Sequence, residues 1–212
     1  NTAAAGTTLV PWFSEVQGAD LPVHREEPFD DFARQPLLPH RLSQLGPGIA
    51  WCDLDGDGRD DLLIGAGKGG RLGAWLNDGQ GKFRPVPFGK FTAGAPDDLT
   101  GLVAWNSEPG HSTVLVGVAN YESGRTNTAG ALRHESFFGT VESTAAVPGS
   151  AWSTGPLAVG DIDGDGDLDL FVGGRAMPGR YPEPATSRLF RNVGGKFQPD
   201  SENAPLMKDL GL

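Results

Sequence analysis

The chain has 212 residues and a formal net charge of −10 at pH 7. This acidity argues against nucleic-acid binding, because proteins that bind nucleic acids present a basic face, and no apolar run approaches the roughly 18 residues that a membrane-spanning helix needs. Glycine (32 residues) and proline (17 residues) are both abundant, which is typical of many short strands joined by turns.

Residues 1–48 form a lead-in segment without a clear repeat. Residues 10–13 could form a strand, and residues 28–34 could form one or two helical turns. Residues 1–8 contain no basic stretch followed by a long apolar run, so we expect that any signal peptide has been removed or was never included.

The first predicted strand covers residues 49–51, and an acidic loop follows it. The loop carries carboxylates at positions 1, 3, 5 and 9 and glycine at position 6, which are Asp53, Asp55, Asp57, Asp61 and Gly58. So many carboxylates in one short loop repel one another unless a cation neutralises them, and flexible all-oxygen coordination favours Ca²⁺ over Mg²⁺. The glycine lets the loop bend back, so that the backbone carbonyl of Arg59 at position 7 can become a ligand.

The residues after the loop distinguish between classes of calcium site. An EF-hand needs a bidentate glutamate at position 12 and then a helix, but position 12 is Ile64. Residues 62–65 are apolar and end in glycine, which is the pattern of a short buried strand. We therefore predict that the loop connects two strands and does not belong to an EF-hand.

The predicted first strand recurs at intervals of 54 residues, at 49–51, 103–105 and 157–159. The middle copy has a shorter loop with Glu108 as its single carboxylate, so we predict that it keeps the strands but has no metal site. The third copy restores the acidic loop. Its predicted ligands are the carboxylates of Asp161, Asp163, Asp165 and Asp169 and the backbone carbonyl of Asp167.

Each repeat continues with a third and a fourth strand. The third strands are predicted at 71–76, 131–137 and 188–192, and Asn–Gly-type turns lead to fourth strands beginning near 81 and 195. Four antiparallel strands in about 54 residues describe a β-propeller blade. The predicted fold is all-β, with about three blades in a partial or open propeller.

The predicted domain boundaries follow from this repeat. Residues 1–48 are the lead-in, 49–96 the first blade, 97–150 the second, and 151–212 the third blade with the start of a next one. A closed propeller needs about 4 to 8 blades. We therefore expect that the chain is part of a longer protein or that another chain fills its open edges.

These motifs resemble the FG-GAP/VCBS repeat, the calcium-loop blade of integrin α-subunit propellers and of many secreted bacterial proteins. The resemblance covers residues 35–212 and is most specific in the two acidic loops. It implies two structural Ca²⁺ ions, each held by one loop. Weak loops of this kind, with dissociation constants of about 10⁻⁴–10⁻³ M, fill only where calcium is millimolar. We therefore expect a secreted or cell-surface protein, of bacterial origin.

The sequence offers no catalytic constellation, because its four histidines are scattered and no Gly-x-Ser-x-Gly motif occurs. We therefore expect no enzymatic activity. Our first hypothesis is an extracellular calcium-binding module for adhesion, surface display or self-assembly, with a protein or glycan partner or a second copy bound through open blade edges. The alternative is a carbohydrate-binding or polysaccharide-processing propeller. It would use Trp12 or Trp75 as an aromatic platform for sugar, together with the proline-rich loop 175–184, which contains Tyr181. Trp51 and Trp105 are expected to pack in the core.

Overall fold

The computed structural model describes residues 12, 21, 23–88, 94–108, 110–126, 130–137 and 140–208, with the backbone alone for 133–137, 140 and 141. Over these residues the chain forms three four-stranded antiparallel sheets, one short α-helix and one 3₁₀ turn. The predicted all-β fold is confirmed, and each sheet has the form of a propeller blade.

The lead-in segment contains α1 (Asp31–Arg34), which agrees with the expected helical turn in residues 28–34. Asp30 caps it, because its side chain accepts a hydrogen bond of 3.0 Å from the backbone N–H of Ala33. The strand expected at residues 10–13 lies outside the described residues except for Trp12, and so does the expected start of a next blade after residue 208.

The first sheet places its strands in sequence order. They are β1 (Ile49–Cys52), β2 (Asp61–Ile64), β3 (Gly73–Asn77) and β4 (Phe83–Val86). Cys52 pairs with Asp61 and Ile49 pairs with Ile64, so the acidic loop 53–60 closes the hairpin between β1 and β2. The loop therefore connects two strands, as predicted.

The second and third sheets repeat this order. The second contains β5 (Asp98–Glu108), β6 (His111–Ala119), β7 (Ala131–Phe137) and β8 (Thr140–Val147). The third contains β9 (Ser153–Gly160), β10 (Asp169–Ala176), β11 (Arg188–Val193) and β12 (Lys196–Pro199), followed by the 3₁₀ turn Ala204–Met207. The first strand of the middle blade is longer than the predicted residues 103–105, because its pairing with β6 runs from Asp98 to Glu108.

The innermost contacts join the first strands of successive sheets, since β1 lies against β5 and β5 against β9. The second strand of the middle sheet, β6, is buried on both faces. Val114 and Val116 in β6 pack into the apolar cluster shared with the first sheet, whereas Leu115 packs into the cluster shared with the third. Successive residues of a strand point to opposite faces. The uninterrupted apolar run of β6 is therefore explained by a sheet on each side.

The expectation that Trp51 packs in the core is wrong. Its side chain is 52% exposed, and Ile49 on the same face of β1 is 57% exposed. Ala50 and Cys52 face the middle sheet, so Trp51 points to the opposite face, where its ring contacts only Phe83 among the described aromatic rings, at 5.9 Å between centroids. Trp105 is half-buried against the cluster between the second and third sheets.

The glycine that closes the predicted second strand lies at a contact between blades. A Cβ atom on Gly65 would be 2.3 Å from the carbonyl oxygen of Leu99 in β5. The backbone N–H of Gly65 also donates a 2.8 Å hydrogen bond to the carbonyl of Gly48. Because the opposing atoms belong to the backbone, any side chain at this position must push two sheets apart.

We expect Gly65→Ala to lower the free energy of unfolding by about 1–3 kcal/mol, the usual range for overpacking. Gly46→Ala is the matched control, because a Cβ atom there meets nothing within 4 Å. Urea unfolding of the two variants measures the difference. Equal stabilities would show that the sheets do not approach each other at this point.

Candidate metal centres

The first acidic loop brings three of its predicted ligands together. One carboxylate oxygen from each of Asp53, Asp55 and Asp57 lies within 4.8 Å of the other two. Oxygen ligands lie about 2.3–2.6 Å from Ca²⁺, so ligands on opposite sides of one ion are about 4.6–5.2 Å apart. A single ion can therefore contact all three side chains, and the residues present fit a calcium site.

Backbone amides hold the first of these carboxylates in place. Asp53 Oδ1 accepts hydrogen bonds from the N–H groups of Gly56 (2.7 Å) and Asp57 (3.1 Å), and Asp53 Oδ2 accepts one from Gly58 (2.8 Å). Gly56 and Gly58 have φ values of 80° and 84°, a region that glycine enters without strain. The loop is thus wound around Asp53 by its own backbone.

Asp61, the ligand predicted at position 9, has a different environment. It is completely buried and lies outside the group formed by the other three carboxylates. Its two oxygens accept hydrogen bonds of 2.8 Å from the N–H groups of Leu54 and Asn77. Burial raises the pKa of Asp61, whereas these two amide donors lower it. Asp61 therefore ties the beginning of the loop to the end of β3.

Arg59, whose backbone carbonyl was predicted as the position 7 ligand, uses its side chain within the loop. The guanidinium forms an ion pair with Asp57, and Nε donates a 3.0 Å hydrogen bond to the carbonyl of Asn77. This positive charge partly neutralises the acidic group. A metal ion would share Asp57 with Arg59.

The second loop also brings three carboxylates together, but a different three. Oxygens of Asp161, Asp163 and Asp169 lie within 4.8 Å of one another. Asp165 lies outside this group, is exposed, and accepts a 2.9 Å hydrogen bond from the N–H of Asp167. As in the first loop, backbone amides clamp the first carboxylate, since Asp161 accepts from Gly164 (2.7 Å) and from Gly166 (3.1 Å).

Asp169 repeats the burial and the backbone hydrogen bonds of Asp61, but unlike Asp61 it also belongs to the acidic group of its loop. It is 1% exposed and accepts hydrogen bonds from the N–H groups of Ile162 (3.0 Å) and Asn192 (2.8 Å). Asn192 and Asn77 occupy equivalent positions near the ends of β11 and β3. Their side-chain amides donate to the carbonyls of Leu168 and Asp60, respectively. Both asparagines were predicted only as turn residues, and their recurrence before both turns is the sequence signal for this second role.

Arg191 in β11 was not predicted as a site residue. Its Nη1 lies 2.9 Å from Asp163 Oδ2 and 3.7 Å from Asp169 Oδ2, and its Nε donates a 2.9 Å hydrogen bond to Asp200 Oδ2. The guanidinium thus supplies positive charge beside the second acidic group. A cation bound there would share Asp163 with Arg191. No sequence signal distinguished Arg191 from other arginines.

The middle blade supports the first loop. Asn106 Nδ2 and Ser112 Oγ both donate hydrogen bonds to the backbone carbonyl of Asp53, at 2.8 and 2.9 Å. The buried thiol of Cys52 contacts Asn106 Oδ1, and burial raises the pKa of this thiol to about 11. Glu108 is exposed and belongs to none of the acidic groups found among the described residues. This blade therefore fixes the start of its neighbour's loop.

Two aromatic residues of the alternative hypothesis have opposite environments. Trp75 is 6% exposed and covers Gly73, so it is not the exposed sugar platform that was considered. Tyr181 is 40% exposed, and its backbone N–H donates a 2.7 Å hydrogen bond to Gln35 Oε1 in the lead-in segment. The loop that carries Tyr181 begins later than predicted, because Arg175 and Ala176 belong to β10.

In the part of the chain that the structure describes, none of the helices has the length and apolar composition to cross a membrane.

Comparison with known families finds a match to part of the chain. The family of the FG-GAP repeat matches residues 45–82, which include β1, the first acidic loop, β2 and β3. A search of curated proteins finds no match to this chain. The match falls on the same strands and loop whose geometry is described above, and we conclude that residues 45–82 are an FG-GAP repeat within a chain built of β-propeller blades.

Proposed function

We propose that this chain is a calcium-stabilised β-propeller module that acts outside the cytosol, without enzymatic activity, in adhesion, surface display or assembly. The observation that carries the proposal is that a group of three carboxylates recurs at the same hairpin of two blades. In each, one hairpin between the first and second strands brings three carboxylates within 4.8 Å of one another. Both groups lie on the β1–β2 or β9–β10 hairpin, so they occupy the same place in their sheets.

A structural role for the metal follows from the source of the ligands. A catalytic metal site keeps an open coordination position and usually collects ligands from several elements. In the first loop, all three grouped side chains come from residues 53–57 of a single hairpin. Calcium bound there would cancel the repulsion among these carboxylates and stiffen the hairpin. The ion would stabilise the blade, and the exposed surfaces of the blades would bind the partner.

An extracellular setting follows from the expected affinity. The grouped carboxylates of the first loop are exposed or half-buried, and Arg59 competes for one of them. We therefore expect dissociation constants of about 10⁻⁴–10⁻³ M, which require millimolar calcium for occupancy. The cytosol does not supply that concentration, whereas extracellular fluid does.

Self-assembly has support from the exposed face of β1. Ile49 and Trp51 expose more than half of their surface on one face of the first blade. Exposed apolar residues on a sheet are a common site of association between protein chains. The carbohydrate-binding alternative depends instead on the exposed Tyr181, which is displayed on a loop anchored to Gln35.

Beads coated with the protein separate these activities. We expect calcium-dependent clustering of coated beads, which Trp51→Ala weakens and Tyr181→Ala leaves unchanged, if assembly is the function. Binding to an immobilised glycan panel that Tyr181→Ala removes would replace this proposal with the carbohydrate-binding alternative. If bead clustering and glycan binding both persisted after calcium removal, the role given to the acidic loops would be contradicted.

A further inference from the structure

A third group of carboxylates lies away from both acidic loops. One oxygen from each of Glu26, Asp98 and Glu122 lies within 4.8 Å of the other two. Glu26 belongs to the lead-in segment, Asp98 begins β5, and Glu122 follows β6. Residues this far apart in sequence converge only through tertiary structure, so this group, called the junction site below, has no motif of its own.

The buried side chains of the junction site lack partners. Glu122 is 5% exposed, and neither of its carboxylate oxygens has a hydrogen-bond partner. Burial and the neighbouring Glu26 carboxylate raise the pKa of Glu122, and the backbone N–H of Gln44 offsets only part of this rise. Glu26 Oε1 is likewise buried without a partner. A buried charge without a partner is strongly unfavourable. These oxygens therefore require a cation or a proton.

Nearby cations compensate only part of this negative charge. The backbone N–H of Lys68 donates a 2.9 Å hydrogen bond to Asp98 Oδ1, and its ammonium group, which lies 3.3 Å from Glu27 Oε2, also acts electrostatically on Glu122. Arg175 is the other cation; burial lowers its pKa, and the charge of Asp98 partly offsets this effect. Three carboxylates face these two cations, and Lys68 is also paired with Glu27, so the group keeps a net negative charge.

The surrounding structure holds the carboxylates in this arrangement. Arg34 in α1 donates a 2.7 Å hydrogen bond from Nη2 to the backbone carbonyl of Glu122, which fixes the lead-in segment against the middle blade. His24 Nε2 lies 3.1 Å from Glu26 Oε2. A Cβ atom on Gly67 would be 2.4 Å from the carboxylate of Glu26, so only glycine leaves room for this side chain.

The competing explanation is protonation. One proton supplies a single hydrogen-bond donor, whereas three buried oxygens, Glu26 Oε1 and both carboxylate oxygens of Glu122, have no partner. A proton shared between two of these oxygens would leave the third without a partner. A metal ion at the common point of the three side chains satisfies all of them together.

We propose that Glu26, Asp98 and Glu122 form a third cation site, which binds a divalent metal ion that prefers oxygen ligands and thereby fastens the lead-in segment to the middle blade. Ca²⁺ and Mn²⁺ fit this chemistry, since three oxygens within 4.8 Å can all be reached from one ion. The ligands come from three separate segments, unlike those of the loops. The site therefore forms only when the lead-in segment is docked.

Anomalous diffraction from crystals soaked in about 10 mM MnCl₂, well above the dissociation constants of weak loop sites, tests the proposal. Mn²⁺ gives a peak whose position separates the junction site from both loops. We expect a peak between Glu26, Asp98 and Glu122 in the wild-type protein. Mn²⁺ peaks at both acidic loops without a peak at the junction site would overturn this proposal. A peak at the junction site without peaks at the loops would overturn only the proposed function.

Three variants extend the test to solution. Glu26→Gln removes a ligand, whereas Glu27→Gln, the matched control, removes the same charge one residue away and outside the junction site. Gly67→Ala displaces the Glu26 carboxylate without changing any charge, and we expect metal binding there to weaken roughly 10–100-fold, as for other residues that position a ligand. Equilibrium dialysis with ⁴⁵Ca²⁺ should show one bound ion fewer in Glu26→Gln than in Glu27→Gln. Equal stoichiometry in these two variants would contradict the proposal.

Discussion

Addition of about 10 mM CaCl₂ to the chelator-treated protein is expected to raise its melting temperature by about 6–20 °C. A ligand at about 10 to 100 times its dissociation constant stabilises the folded state by about 1.4–2.7 kcal/mol per site, so two loop sites contribute about 3–5 kcal/mol. For a chain of this size, each kcal/mol shifts the melting temperature by about 2–4 °C. The physical cause is the loss of repulsion among the three grouped carboxylates of each loop. Differential scanning calorimetry in EDTA and in calcium measures the shift.

Variants within the first loop test whether this shift arises at the grouped carboxylates. Asp55→Asn removes a charge from the group and should lose about half of the calcium-dependent shift. Asp60→Asn is the matched control, because Asp60 is exposed in the same loop but lies outside the group. MgCl₂ at the same ionic strength should give a smaller shift, since Mg²⁺ demands a stricter octahedral geometry. Equal shifts for both metals, or for both variants, would show general screening of charge instead of bound calcium.

Asp61→Ala is expected to destabilise the protein by about 3–6 kcal/mol whether or not calcium is present. The buried carboxylate of Asp61 accepts hydrogen bonds from the N–H groups of Leu54 and Asn77. Hydrogen bonds to a charged group contribute about 1.5–3 kcal/mol each, and their loss leaves two buried donors without partners. This is a large part of the roughly 5–15 kcal/mol that stabilises a typical domain. Urea unfolding in EDTA measures the effect without any metal.

Asp55→Ala, in the same loop, is the control variant for Asp61→Ala. Asp55 is exposed, and its removal in EDTA reduces repulsion with Asp53 and Asp57 without breaking a contact between strands. We therefore expect Asp55→Ala to keep wild-type stability in EDTA and to lose stability only relative to the calcium-bound protein. If Asp61→Ala behaved in the same way, Asp61 would be primarily a metal ligand and its hydrogen bonds to the backbone would be of minor importance.

The local features of the fold could be predicted because they depend on neighbours in sequence. A loop with alternating aspartates followed by an apolar run ending in glycine specifies a hairpin, and β1 pairs with β2 as expected. The predicted ligand sets were less specific. The pattern assigns Asp55 and Asp61 the same role, whereas only Asp55 belongs to the exposed acidic group. Burial of Asp61 by β3 separates the two, and no spacing rule in the loop contains that information.

The sequence by itself determined the strands, the hairpin loops and the repeat, because each of these needs only the alternation of side chains and the turn preferences of nearby residues. Tertiary structure alone decided which residues meet between blades. The backbone of Leu99 explains why glycine is needed at position 65. Packing between blades also brings Asn106 to the carbonyl of Asp53, and packing of the lead-in segment brings Glu26 and Glu122 together. These contacts join segments far apart in the chain, and their geometry depends on how whole sheets pack against one another.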